Sequence, residues 1–409
     1  TAKAFKKLFS DFAKWSTVVC LNKIVSKIKW IAILYSILFA IMLFLFVFIS
    51  INLILKYFKY PYGTDLTLNV QSEKFPRFSF CNENPLKRSV VDSNPTFGEI
   101  AKMLKQYEEV EQQISPTDDF SITTDQSTQR LTRARTILRL LMHKMSDADR
   151  IQGGYSFTEL VSECTFFGKT CTSADFTQFL HPDYGVCYTF VSDRNITRAG
   201  AQQALRMLMT VNQDDPLVND FDFLPTTESA SIRAVIHYPE EYPDFVNAGF
   251  KIGASSQTSI SLSTIANSRV NLPYGNCTTE EVDANNYYAN FTYSFTTCQY
   301  SCLQRMAWEK CRCADPSYLK AEEQVYCSTP ADMLCLVDLV KSLSNGSVPH
   351  CDCYSPCTER RLQRTITYGQ YPSAKYKVAA GTQEQRGLLL EGQDGGREGV
   401  ADEDADDYD

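Results

Sequence analysis

The sequence predicts a membrane-anchored α+β protein, with one N-terminal transmembrane helix carrying a disulfide-rich domain of short strands and peripheral helices. Three observations predict it. Residues 31–55 are an uncharged apolar run, the residues before it are strongly basic, and fourteen of the fifteen cysteines follow it.

The run Ile31 to Leu55 reads IAILYSILFAIMLFLFVFISINLIL, 25 residues without a charge. About 20 apolar residues in a helix cross the hydrocarbon core, so this one spans it with some tilt. Trp30 and Tyr57 stand at its ends, where aromatic rings favour the headgroup region. A signal peptide would have a shorter apolar core, about 7–15 residues, ending at a small-residue cleavage site. Neither feature is present. Residues 1–30 hold seven lysines against one acid, Asp11. That asymmetry predicts a cytosolic N-terminus, with everything after Lys56 outside the cell. The expected domains are a cytosolic segment 1–29, a membrane helix 30–56, an extracellular cysteine-rich domain 57–375 and a disordered tail 376–409. A chain starting at Thr1 rather than Met is expected to lack, or to have lost, its first residues.

Cys20 stands alone, and the other cysteines, an even number, lie between Cys81 and Cys357. A dense even set implies an oxidising compartment, hence disulfides. The alternative is a cytosolic metal protein. Cys311-x-Cys313 and Cys351-x-Cys353 lack the usual two-residue ligand gap, and only His143, His181, His237 and His350 are available as nitrogen ligands. No metal site and no cofactor are expected. Four sequons follow the membrane run, at Asn195, Asn276, Asn290 and Asn345, and agree with the lysines about which side faces outward. A net charge of -8 without a basic aromatic patch argues against nucleic-acid binding. No catalytic residues are identified: the sequence has no Gly-x-Ser-x-Gly elbow, no His-Glu-x-x-His and no phosphate loop.

Past the membrane run, residues 57–70 read as extended and Phe75 to Cys81 as a strand. Residues 97–114 put Phe97, Ile100, Leu104, Tyr107 and Ile114 on one helical face. Leu131, Leu138, Leu141, Met142 and Met145 mark a second helix, and the polar segment 121–129 between the two reads as a loop. Both helices read as coats on a domain. From Cys164 to Cys357 short β-type runs alternate with Pro, Gly and Asn, most clearly 231–238 and 259–265. Residues 204–211 fit helix or strand, and residues 327–343 return to helical spacing. The last segment, from Glu391, has nine acids and one base, too little apolar surface to offset ordering entropy. No second apolar run is long enough to cross a membrane.

Several motifs then coincide in one order. Phe75-Pro76 precedes Cys81-Asn82 and Pro85; Cys164, Phe167-Gly168 and Cys171 precede Tyr184-Gly185 and Cys187-Tyr188-Thr189-Phe190. Pro273-Tyr274-Gly275 comes before Cys277, and Cys298-x3-Cys302, Cys311-x-Cys313, Cys327, Cys335, Cys351-x-Cys353-x2-Pro356-Cys357 and Tyr371-Pro372-Ser373 follow. In this order the chain resembles the epithelial sodium channel, degenerin and acid-sensing ion channel family over about residues 10–375. The resemblance implies an ectodomain like a clenched hand, with a central β-sheet (palm and β-ball) and peripheral helices (finger and thumb). It implies disulfides pairing Cys81 with Cys187, Cys164 with Cys171, Cys277 with Cys357, Cys298 with Cys353, Cys302 with Cys351, Cys311 with Cys335 and Cys313 with Cys327. It also implies that Tyr60 meets Tyr274 in the wrist, where the pair either couples the domain to the membrane helix or simply packs.

The implied function is a subunit of an amiloride-sensitive, sodium-selective plasma-membrane channel, a homo- or hetero-trimer with homologous subunits. Three departures qualify it. Val19-Cys20 stands where the family has a His-Gly pair, and Leu362 stands where it usually has Tyr. Beyond Ser373 the family continues to a second, pore-lining helix, absent here, so the chain alone is expected to conduct no current. The rival expectation is a non-conducting, membrane-anchored glycoprotein that binds an extracellular ligand or modulates homologous subunits. Asp214, Asp215, Asp220 and Asp222 are the candidate proton-sensing cluster, with a solvated acidic loop as the alternative reading.

Overall fold

In the computed structural model, the described residues are 2–17, 23–24, 28–61, 63–68, 72–112, 127–198, 200–215, 220–279, 287–344, 351–373 and 375. The chain divides into two compact units: residues 1–68 with 270–276, and residues 69–269 with 277–409. The proposed proton cluster falls partly outside the description, because the side chains of Asp214, Asp215 and Asp220 are not among those described. Asn345, Cys20, Val19, Ile114 and the acidic tail after residue 375 also lie outside the described residues.

The first unit holds α1 (Ala2–Trp15) and α2 (Lys29–Phe58). None of the residues of α2 is buried within the protein, and it is the one helix among the described residues long and apolar enough to cross a membrane. A soluble core helix would bury such residues against protein; this one leaves them for lipid. Two of its polar side chains are closed off locally. Ser36 Oγ donates to Ala32 O at 2.7 Å, and Asn52 Nδ2 donates to Phe48 O at 2.8 Å. A polar group in hydrocarbon finds no water, so such internal bonds are what makes it tolerable there. The helix runs past Lys56 to Phe58, two residues into the stretch expected to be extended. Apolar and aromatic residues continue that far, and the helix ends only where Tyr60 turns left-handed, at φ 46°.

The second unit contains β1 (Arg77–Asn82), α3 (Arg88–Ser93), α4 (Gly98–Glu111) and α5 (Ser127–Lys144). Then come β2 (Val161–Phe166), β3 (Lys169–Thr170), β4 (Phe176–His181), β5 (Gly185–Phe190) and β6 (Leu205–Met209). Next are β7 (Ser231–His237), β8 (Phe250–Gly253) and β9 (Ser256–Ser268), followed by α6 (Phe295–Cys311), α7 (Pro330–Ser344) and β10 (Thr358–Gln370).

An antiparallel five-stranded sheet, in the order β8-β7-β1-β5-β4, forms the centre. β5 is buried along its whole length, as a central strand covered on both faces must be. Phe80, Tyr188, Ile232 and Ala234 build the core on one side, joined by Val161 and Cys164 from the smaller sheet β3-β2-β6. The ambiguous run at 204–211 is therefore a strand: Leu205 to Met209 pair with β2, and that pairing decides what periodicity left open. β9 and β10 make a long two-stranded ribbon, in register from Ser256–Gln370 to Ser268–Thr358.

A second core belongs to the helices. α4 contributes Ile100, Met103, Leu104, Tyr107 and Val110, a stripe at three- and four-residue spacing. α5 contributes Ala134, Ile137, Leu138, Leu141 and Met142, while Leu131 and Met145 lie half-buried at its edges. Leu336 and Leu339 of α7 close the cluster. The segment 121–129 is not all loop: α5 begins at Ser127, because the stripe that starts at Leu131 carries one polar turn with it.

Candidate functional site

Two groups of residues carry the arrangement: the cysteines of the second unit and an aromatic contact of the first. Cys81 and Cys187 lie directly opposite each other on β1 and β5, fully buried, and are joined with Cα atoms 4.4 Å apart. Cys164 on β2 is joined to Cys171 just past β3. Five further bridges are nested. Cys277–Cys357 encloses Cys298–Cys353, then Cys302–Cys351, Cys311–Cys335 and Cys313–Cys327.

α6 organises this ladder. Cys298 and Cys302 are one turn apart and share a face, so both reach the returning segment at Cys353 and Cys351. Cys311 is half a turn away from Cys302 in angle and reaches Cys335 on α7 instead. Arg312, at φ 58°, ends α6 and turns the chain toward Cys313. At the start of α6, Ser294 Oγ accepts from the backbone N–H of Thr297 at 3.1 Å. Every bridge restricts the unfolded chain, about 2–4 kcal/mol each in the usual estimate.

Behind the ladder a polar network ties α5 to the loop after α6. Arg139 Nε donates to Asp183 Oδ1 at 2.5 Å, and its Nη1 donates to Ser317 Oγ at 2.6 Å. The backbone N–H of Ser317 donates to Asp315 Oδ1 at 2.8 Å, and Gln304 of α6 bonds both backbone groups of Asp315. Burial opposes the charge on Arg139, and the Asp183 and Asp315 carboxylates outweigh it, so its pKa is raised. His181, one residue before the turn that carries Asp183, is held neutral: burial lowers its pKa to about 4. Its Nδ1 accepts the backbone N–H of Asp183 at 3.1 Å. His237 is likewise lowered to about 4 by burial, and its two ring nitrogens meet Ser79 Oγ at 2.9 Å and Tyr238 O at 2.9 Å.

In the first unit, Tyr60 and Tyr274 meet edge-on, with centroids 5.3 Å apart and planes at 82°. Left-handed backbone is uncommon for a bulky residue and costs about 1–2 kcal/mol. Here it turns the Tyr60 ring off the end of α2. Tyr274 sits in a tight turn in which its N–H and that of Gly275 both donate to Asn271 O, at 3.2 and 3.3 Å.

Among the sequons, Asn195, Asn276 and Asn290 are exposed. Of the acidic cluster, Asp222 is buried and its carboxylate accepts the Ser89 N–H at 2.8 Å, which caps α3. Asp220 and Phe221 pair with Asp215 and Asp214 as a short backbone hairpin. Two features escaped the sequence reading. Asn84 is fully buried and binds Leu86, Tyr155, Leu224 and Thr227, pinning three segments together. The helix α1 was also missed, although Phe5, Leu8, Phe9, Phe12 and Trp15 repeat at helical spacing. No group of three or more His, Cys, Asp or Glu suited to a metal occurs among the described residues.

A family model described as amiloride-sensitive sodium channel matches residues 12–393. The chain is 32% identical to the degenerin-like protein asic-2 of Caenorhabditis elegans over 92% of its own length and 71% of that protein's. It is 31% identical to the degenerin mec-4 of Caenorhabditis briggsae over 59% of this chain, and 31% identical to the epithelial sodium channel subunit gamma of Rattus norvegicus over 55%. Of those two proteins' own lengths it spans 32% and 35%, about a third.

Proposed function

Because the chain belongs to the amiloride-sensitive sodium channel family, we propose that it is a subunit of a sodium-selective cation channel of the plasma membrane. The observation that carries the proposal is the family match across residues 12–393 on a chain built as one exposed apolar helix and a bridged domain. The subunit assembles with itself or with homologues, as a trimer, around permeating sodium ions and within the bilayer. Its N-terminus faces the cytosol and its disulfide-rich domain the outside, a reading supported by the lysines before α2 and the cysteines after it. Exposure of Asn195, Asn276 and Asn290 supports glycosylation there, and Asn345 completes the set by sequence. Bridges at the seven pairs make the domain stiff, and the Tyr60–Tyr274 contact passes its movement to α2.

A second reading takes the described residues by themselves. One candidate span, a bridged domain and exposed sequons are also what a membrane-anchored glycoprotein that binds an extracellular ligand or modulates homologous subunits would carry. Expression in oocytes discriminates between the two. Amiloride-blocked sodium current from the chain alone supports a complete subunit; silence alone, with altered current on co-expression with a homologue, supports the modulator. No current and no effect on any homologue, despite surface delivery, would defeat both.

A further inference from the structure

We propose that α1 is an interfacial helix that lies flat on an anionic lipid surface, on the side of the membrane where residues 1–28 sit. The proposal rests on the reading of α2 as a membrane span. Helical register gathers Phe5, Leu8, Phe9, Phe12 and Trp15 onto one face of α1, and all five are exposed, Phe9 least at 41%. Phe12 is 62% exposed and Trp15 91%. Ser10, Asp11, Lys7 and Lys14 occupy the other face by the same register, and the segment also carries Lys3 and Lys6 in its sequence.

Five large apolar side chains on one face cost free energy in water wherever the helix is free. Two facts on this chain select a lipid surface as the cover. The first is charge. Lysines on the polar side, against a single Asp11, complement an anionic headgroup layer. Aromatic rings rather than long aliphatic chains dominate the apolar face, which suits the headgroup boundary, where a ring's apolar body and weak polarity are both met. The second is tethering. Thirteen residues separate Trp15 from Lys29, the first residue of α2. A linker of that length reaches at most ~45 Å, so α1 never leaves the neighbourhood of the bilayer once α2 is in it. Confinement raises its effective concentration at the surface, and a weak partition suffices. The helix ends with Trp15, at the boundary position where indole rings concentrate.

The test uses the full chain with Trp30→Phe and Trp308→Phe, which leaves Trp15 as the sole tryptophan. It is reconstituted into phosphatidylcholine vesicles with or without phosphatidylserine. With phosphatidylserine, Trp15 emission is expected to shift to the blue, lipids brominated near the headgroup should quench it, and iodide quenching should fall by about threefold or more. K7E with K14E is expected to lower the bound-to-free ratio by about thirtyfold or more and so restore iodide access, since each lysine at such a surface contributes roughly fivefold. Shielding unchanged in pure phosphatidylcholine and in the double variant overturns the anionic surface in favour of a protein cover. Shielding that depends on protein density points to a second copy and overturns it too. Alkaline carbonate separates the premise from the inference: chain that washes out defeats both, whereas embedded chain with a wet Trp15 defeats the inference alone.

Discussion

The Arg139–Asp183 pair gives the sharpest test of how the helices are held to the sheet. Both side chains are about a quarter exposed, 24% and 25%, so the pair is neither a surface contact nor a fully buried one. Exposed pairs contribute about 0–1 kcal/mol, and breaking a buried one costs about 3–5 kcal/mol. With Ser317 Oγ as a second acceptor for the same guanidinium, Arg139→Met is expected to cost about 2–3 kcal/mol. The measurement is urea unfolding of the full chain in detergent, followed by near-ultraviolet circular dichroism. The decisive quantity is the double-mutant cycle with Asp183→Asn. A coupling of about 1.5–2.5 kcal/mol is expected, because Asp183→Asn alone strands Arg139 and the double variant removes both charges together. Coupling below about 0.5 kcal/mol, with both single variants folded, would show that the contact is incidental and that α5 is held by its apolar stripe alone.

Other outcomes follow from the same structure. His181 and His237 have folded pKa values of about 4, below the ordinary 6.5, so the unfolded chain binds more protons between those values. Stability is therefore full above about pH 6.5 and is lost as pH falls toward 4, by roughly 3 kcal/mol for each ring; thermal melts at pH 7 and pH 4.5 should differ, and H237F should reduce the difference. Gly185, at φ +65°, leaves no room for a side chain, since a Cβ would stand 2.4 Å from the Pro85 carbonyl oxygen. Gly185→Ala is expected to destabilise by about 2 kcal/mol or more, read as a lowered unfolding midpoint and poor surface delivery. Tyr274→Ala removes an edge-on ring pair of about 0.5–1.5 kcal/mol; if Tyr60 and Tyr274 couple, it should alter channel opening in co-expression with a homologue while Tyr274→Phe does not, and equal behaviour of the two would leave mere packing.

Much of the fold was legible because its causes are local. Twenty-five uncharged residues can hardly be anything but a long apolar helix, and three- and four-residue spacing located α4 and α5 to within a turn. What escaped depends on distant partners. The strand at Leu205–Met209 exists because β2 lies beside it, and Asn84 matters because three segments converge on its amide. Asp222 looked like part of an acidic surface loop, yet the N-terminus of α3, more than a hundred residues earlier, draws it inside. Disulfide partners are of this distant kind as well: spacing leaves the pairing of fourteen cysteines open, and only the resemblance offered a choice. Helix α1 is the exception, since the spacing of Phe5, Leu8, Phe9, Phe12 and Trp15 is local and stands in the sequence itself.

The order of the five enclosing bridges has a consequence for biosynthesis. Reading from the N-terminus, each second half-cystine emerges in the reverse order of its mate: Cys327, Cys335, Cys351, Cys353, Cys357. Once Cys313 has found Cys327, Cys311 and Cys335 are separated by only two residues on one side and eight on the other. Closure can thus proceed like a zip as the chain is made, each step a short loop although its ends lie far apart along the chain.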